Sequence, residues 1–133
     1  AIVDGIGMQW HVGLWAKVQP GDSYYRNAER WINHGLDIMI TELDVGLSLK
    51  DGQVADPNDL ERQAQVYRSI VKYALHFSTK CRALITWGFT DRYSWIPWFS
   101  QGLQGAALPL DSNYQPKPAF LAMQEEFNRM IPD

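Results

Sequence analysis

Three short stretches concentrate the side chains able to do chemistry: Gln9-Trp10-His11, Thr41-Glu42-Leu43-Asp44 and Trp87-Gly88-Phe89-Thr90-Asp91. Each stands where an apolar run gives way to polar residues. A carboxylate at the end of a buried strand needs partners, because desolvation opposes its charged form while a nearby donor or cation favours it. His11 is the natural hydrogen-bond partner of Glu42, with Asp44 orienting the imidazole and Gln9 adding an amide. Side chains alternate along a strand, so Ile38, Ile40, Glu42 and Asp44 are expected on one face, and Gly5, Gly7, Gln9 and His11 on one face of the strand before it. Two carboxylates, an amide and an imidazole would then meet at one end of a sheet. Residue types alone leave both catalysis and a satisfied structural network open.

Tryptophan sharpens the question, with six in the chain. Trp31, like Tyr24 and Tyr67, falls on an apolar helical face and reads as core packing. Trp87 at a strand end and Trp95 in a long loop have no such explanation. Flat indoles bordering a polar cleft suit the apolar faces of pyranose rings, while amides and charges bond the hydroxyls. A metal site is not expected: His11, His34 and His76 are scattered over different elements, no Cys/His ligand spacing is present, and His34 and His76 read as helix-surface residues. No cofactor is implied.

The elements that must position these groups alternate. Ile2 to Met8 reads as a short buried strand. Asp22 or Ser23 then caps a helix with Tyr24, Ala28, Trp31 and Ile32 on its apolar face, ended by Gly35. A second strand runs from Leu36 to Leu43, followed by a loop over Ser48 to Asp56. Pro57 stands near the start of a helix with Leu60, Ala64, Tyr67, Val71 and Ala74 on one face. The third strand is Ala83 to Phe89. Residues 90–115 show no period, although Trp95, Trp98 and Phe99 argue against disorder. A last helix spans Lys117 to Met130. The order β-α-β-α-β-loop-α calls for a parallel sheet with right-handed crossovers, whose ligands lie at the carboxyl ends of the strands.

Composition bounds the reading. The chain has 133 residues, 12 Lys and Arg against 15 Asp and Glu, and a formal charge of -3. That is enough for one core, and without a basic stripe there is no electrostatic footprint for nucleic acid. No run of 18 apolar residues exists to cross a membrane as a helix, and Ala1 to Asp4 carry no signal-peptide pattern. Opening directly in an apolar run reads as a cut. Cys81, the single cysteine, reads as a small core-lining thiol. A complete (β/α)8 barrel takes about 250 residues, so at most about half of one is present.

The strand-end motifs resemble glycoside hydrolase family 10, the endo-β-1,4-xylanases. Asp4-Gly5-Ile6-Gly7-Met8-Gln9-Trp10-His11 is similar to that family's strand-six motif, and Ile40-Thr41-Glu42-Leu43-Asp44-Val45 to its nucleophile motif on strand seven. Thr86 to Trp95 is similar to its strand eight and following loop, and Asp111 to Phe120 to its lead into the last helix. The resemblance implies the C-terminal three βα units, strands six to eight, of a (β/α)8 TIM barrel. It implies Glu42 as nucleophile of a retaining hydrolase of internal xylosidic bonds, His11 and Asp44 as the pair that bonds and orients it, and Gln9, Trp87 and Trp95 as residues around the bound sugar. Trp10 replaces a small polar residue of the family pattern and is expected to face a helix or loop.

The resemblance also implies an absence. Retaining cleavage needs a second carboxyl about 5–5.5 Å from the nucleophile, which the family carries in an Asn-Glu pair on strand four, and no Asn-Glu occurs here. Asp91 and Asp111 are the available substitutes, though each already belongs to a motif. The expected partners are xylan or xylo-oligosaccharides and the missing N-terminal barrel segment, with no nucleic acid and no membrane; a polymeric substrate implies a secreted parent. Two alternatives remain at this point: a noncatalytic sugar-binding fragment using Trp87 and Trp95, and a flavodoxin-like domain, for which no Gly-rich phosphate loop follows the first strand.

Overall fold

The computed structural model describes residues 2–129. Strands β1 (Gly5–Met8), β2 (His11–Gly13), β3 (Asp37–Lys50), β4 (Gln53–Val54), β5 (Cys81–Thr86) and β6 (Gln104–Gly105) alternate with helices α1 (Ser23–Asn33), α2 (Asp59–His76), α3 (Ile96–Phe99) and α4 (Pro118–Asn128). Ile38, Met39 and Ile40 pair in parallel with β1 and with β5 at once, so β3 is the central strand. The sheet is thus a parallel β1-β3-β5 core with helical crossovers, as the sequence suggests. Neither β1 nor β5 pairs with a further strand among the described residues.

Local chemistry accounts for the elements. The Asp22 carboxylate accepts from the Tyr25 N–H at 3.0 Å, capping α1. Gly35, at φ 83°, supplies the left-handed turn that lets the Gly35 and Leu36 N–H groups reach the Ile32 and Trp31 carbonyls. Helix α2 buries Ala64, Tyr67, Ile70 and Val71. One core joins Ile38, Ile40, Leu43 and Val45 of β3 to Tyr67, Ile70 and Tyr73 of α2, Tyr25 and Ala28 of α1, and Ala119 of α4. Each large aliphatic side chain so buried contributes roughly 1.5–3 kcal/mol. Cys81 is a partly buried free thiol against that core.

Four expectations are corrected. First, Ile38 and Ile40 do not share a face with Glu42 and Asp44. The register shifts between Ile40 and Leu43, and the apolar cluster takes Ile38, Ile40, Leu43 and Val45 together. A bulge adds one residue to the count, so alternation measured from Ile40 inverts before Glu42. Second, the first strand is interrupted: β1 stops at Met8, and Trp10 turns at φ 62° before β2 begins.

Third, β3 continues to Lys50 instead of ending at Leu43, because its far end pairs with β4 and β6. Asp51 and Gly52, at φ 52° and 77°, form the tight β3–β4 hairpin turn, a pairing typical of Asp-Gly. Fourth, β5 is Cys81–Thr86 and leaves Trp87 to Phe89 outside it. In the last helix, Met130 lies outside the described residues.

The long segment after β5 is ordered by side chains that answer its backbone. It holds a 3-10 turn at Asp91–Tyr93, α3 and β6. Gln63 of α2 donates through Nε2 to the Val45 and Ala106 carbonyls, both at 2.7 Å, and the Tyr67 hydroxyl donates to Ala107 O at 2.7 Å. Thr90 Oγ1 donates to Asp111 O at 2.6 Å. Buried carbonyls need such donors whether or not the chain has a period.

Replacing Gln63 by leucine keeps much of the volume and removes two of these bonds. The expected loss is about 2 kcal/mol in the full-length chain, read as a lower urea midpoint at unchanged slope. A loss below about 0.5 kcal/mol would mean that the stranded Val45 carbonyl finds another donor.

Candidate active site

Glu42 lies within the register shift of β3 between Ile40 and Leu43, and its side chain is 22% exposed. Both of its carboxylate oxygens are held. Gln9 Nε2 donates to Oε1 at 3.4 Å, and His11 Nε2 lies 3.1 Å from Oε2. The backbone makes the same connection, with the Glu42 N–H donating to Gln9 O at 3.1 Å. Asp44, two residues on, is fully buried and takes His11 Nδ1 at 2.9 Å. Trp95 Nε1 donates to the same Asp44 oxygen at 2.9 Å, and its indole meets the His11 ring edge to face at 5.1 Å.

The imidazole is therefore gripped at both nitrogens. A neutral ring with its proton on Nδ1 donates to Asp44 alone, one with its proton on Nε2 donates to Glu42 alone, and imidazolium donates to both. With both ring nitrogens protonated the imidazole bridges Glu42 to the buried Asp44 carboxylate and cannot rotate without breaking bonds. Beneath the cluster, Tyr67 is fully buried. Burial first, then the charges of Asp44 and Asp91, pushes its phenol well above the ordinary range, so Tyr67 acts as a neutral donor.

Of the six residues singled out in the sequence, the structure brings Gln9, His11, Glu42, Asp44 and Trp95 into one hydrogen-bonded network. Trp87 stands apart from it. Its backbone N–H donates to Leu43 O at 2.9 Å, and its indole is half exposed. Trp10 packs on the opposite side, with ring centroids 4.8 Å from both Tyr24 and Tyr73. The small polar residue of the family pattern is thus replaced by an aromatic wedge against α1 and α2.

Neither aspartate considered as a second carboxyl is available. Asp91 is bound to Lys117 Nζ at 3.0 Å and to the Leu108 N–H at 2.8 Å, while Asp111 Oδ1 caps the Asn113 and Gln115 N–H groups at 2.8 and 2.9 Å. Among the described residues no cluster of three or more His, Cys, Asp or Glu side chains is arranged to hold a metal ion.

A carboxylate within the central parallel strand, met by an imidazole and an amide, fits carbohydrate chemistry, and the comparison with known proteins decides the family. The family description Glycosyl hydrolase family 10 matches residues 1–126. The chain belongs to this family. Endo-1,4-beta-xylanase B of Thermotoga neapolitana is 43% identical over 123 residues, which are 92% of this chain and 34% of that protein. The Agaricus bisporus endo-1,4-beta-xylanase is 36% identical over 118 residues, 89% of this chain and 33% of its own length.

In structure, xylanase 10B of Thermotoga petrophila RKU-1, solved in complex with xylobiose, superposes with a TM-score of 0.86 at 39% identity. That match covers 97% of this chain and 37% of the other. The chain therefore spans about a third of the family 10 relatives it matches, and its three parallel strands form part of their barrel.

Sequence reasoning missed the contribution of α2 and of Lys117 to this site. Gln63 looked like one more polar residue of a helix, since nothing in the local pattern marks a carbonyl acceptor that lies 43 residues away.

Proposed function

We propose that this chain, completed by the remaining strands of its barrel, hydrolyses internal β-1,4-xylosidic bonds with Glu42 as the nucleophile of a retaining double displacement. The carrying observation is the clamp on Glu42, with Gln9 on one oxygen and the His11–Asp44 pair on the other. One Glu42 oxygen attacks the anomeric carbon, the leaving oxygen takes a proton from an acid outside this chain, and a covalent glycosyl ester forms. Water then attacks the same carbon with that acid acting as base, which restores the configuration and frees Glu42. The hydrogen bonds limit the rotamers of Glu42, so the attacking oxygen is already placed when sugar arrives.

By this reading the isolated chain binds sugar weakly and does not turn it over. Asp91 and Asp111 are committed to the loop, so the acid must come from a strand not contained here. The open sides of the sheet support completion by further strands. Ile85 of β5 is exposed, and so is Phe89, which with Thr86, Leu110, Phe120, Met123 and Phe127 lines a groove of about 400 Å³. An unpaired strand edge with apolar neighbours suits another barrel segment. A polymeric substrate supports a secreted parent.

The test is trapping. A 2-deoxy-2-fluoro-xylobioside with a good leaving group should add one glycosyl mass to the protein with its barrel completed by the remaining strands, and peptide mapping should locate it on Glu42. Label on any other carboxylate, or steady turnover with no ester, would sink the assignment.

A further inference from the structure

Between β1 and β2 the backbone carries strain at one residue. Trp10 sits at φ 62°, in the left-handed region that a bulky side chain rarely enters because its Cβ crowds the following carbonyl. Glycine would hold that angle without penalty, yet the position carries an indole. Strain of this kind persists only where the surrounding structure over-determines it, and it collects at functional sites. A second cost lies against the same ring: the Tyr73 hydroxyl is buried with no hydrogen-bond partner among the described residues.

The angle has a geometric purpose. Met8 pairs with Ile40 and His11 with Asp44, so β3 carries one residue more than its neighbour between the two pairings. An evenly extended chain from Met8 would set His11 opposite Leu43, which belongs to the core, and not opposite Asp44. The turn at Trp10 removes that mismatch. Gln9 O then accepts from the Glu42 N–H at 3.1 Å and Trp10 O from the Asp44 N–H at 3.4 Å. Gln9 thereby reaches one Glu42 oxygen, while His11 reaches the other and Asp44. What fixes the turn is the indole, wedged between Tyr24 of α1 and Tyr73 of α2 with centroids 4.8 Å from each.

We propose that Trp10 is a positioning residue for the hydrolysis: its indole, locked between α1 and α2, holds residue 10 in the left-handed turn that brings Gln9 and His11 together on Glu42. The inference rests on the reading of Glu42 as the nucleophile. Trp10 acts through Gln9 and His11, not through contact with the sugar. A misplacement of about 1 Å at a reacting centre costs up to about a hundredfold in rate, so a relaxed turn is felt in kcat.

The experiment measures kcat and KM on xylan for W10F, W10G and W10A in the protein with its barrel completed by the remaining strands, each below its own melting temperature. W10F keeps a ring in the wedge and should stay within about twofold of wild type. W10A and W10G both empty the wedge, but only glycine takes the left-handed angle freely. W10A should therefore lose about tenfold in kcat with KM nearly unchanged, while W10G stays within about threefold of wild type despite the same empty wedge. Should W10A not fold, W10L fills most of the volume without easing the angle and should show the same loss. Equal losses in the glycine variant and in alanine or leucine would make Trp10 a packing residue only and overturn the proposal, as would a loss confined to KM or no loss at all. All these variants retain Glu42, Gln9 and His11, so that failure is distinct from failure of the nucleophile assignment, which would appear as turnover surviving Glu42→Ala.

Discussion

Replacing Glu42 by alanine in the full-length chain should lower xylan turnover by at least about a thousandfold, with the melting temperature nearly unchanged. The size follows from the role: without a nucleophile there is no glycosyl ester, and what remains is the contribution of binding and of the distant acid. Stability should hold because Glu42 is partly exposed and makes only side-chain bonds to Gln9 and His11, whereas the core rests on Leu43 and Val45 beside it. Glu42→Gln should be nearly as inactive although it keeps the shape, since an amide is a poor nucleophile. Turnover within tenfold of wild type for either variant would remove Glu42 from the mechanism and leave the network as a structural feature.

The site was legible because its chemistry sits at short spacings. Glu42 and Asp44 are two apart, as are Gln9 and His11, and each pair follows an apolar run. What the pattern could not show is how those strands are counted. Reading alternation from Ile40 puts Glu42 on the wrong face, because the shift between Ile40 and Leu43 leaves no mark in residue type. The network converges regardless, since the register shift in β3 and the break at Trp10 occur side by side: Met8 pairs with Ile40, and His11 with Asp44, so three steps on one strand match four on the other.

Strand ends were misjudged for a related reason. Leu47 and Ser48 pair with Gly105 and Gln104 of β6, two residues from a segment with no period of its own, so that stretch of β3 depends on the segment returning to it. Long-range pairing of that kind lies outside any local window. The Asp51-Gly52 turn, by contrast, is a local signal that a hairpin reading would have caught.

The same returning segment carries Trp95 to Asp44, so the order of the site depends on what fastens the segment, and here Lys117 has the largest part. Its ammonium, nearly buried at the start of α4, donates to Asp91 Oδ2 at 3.0 Å, Ala106 O at 2.6 Å and Leu108 O at 2.8 Å, which uses all three protons. Burial is the leading influence on both charges, pushing the Asp91 carboxyl up and the Lys117 ammonium down despite their mutual attraction. Both displacements disfavour the ionised pair, so its value lies in bonding two carbonyls and one amide of the segment and not in the pairing itself.

Lys117→Met should then cost about 3–5 kcal/mol, because it leaves the Asp91 charge buried and the Leu108 carbonyl without its donor. Thermal or urea unfolding of the full-length chain measures it. Asp91→Leu combined with Lys117→Met should recover part of that loss by removing the stranded charge, while the Leu108 carbonyl remains unanswered. If the single variant lost less than about 1 kcal/mol, the segment would have to be held by Gln63, Tyr67 and Thr90 alone. Where Lys117→Met remains folded, loosening of Trp95 should also lower turnover, which ties the fastening of the loop to the geometry at Glu42.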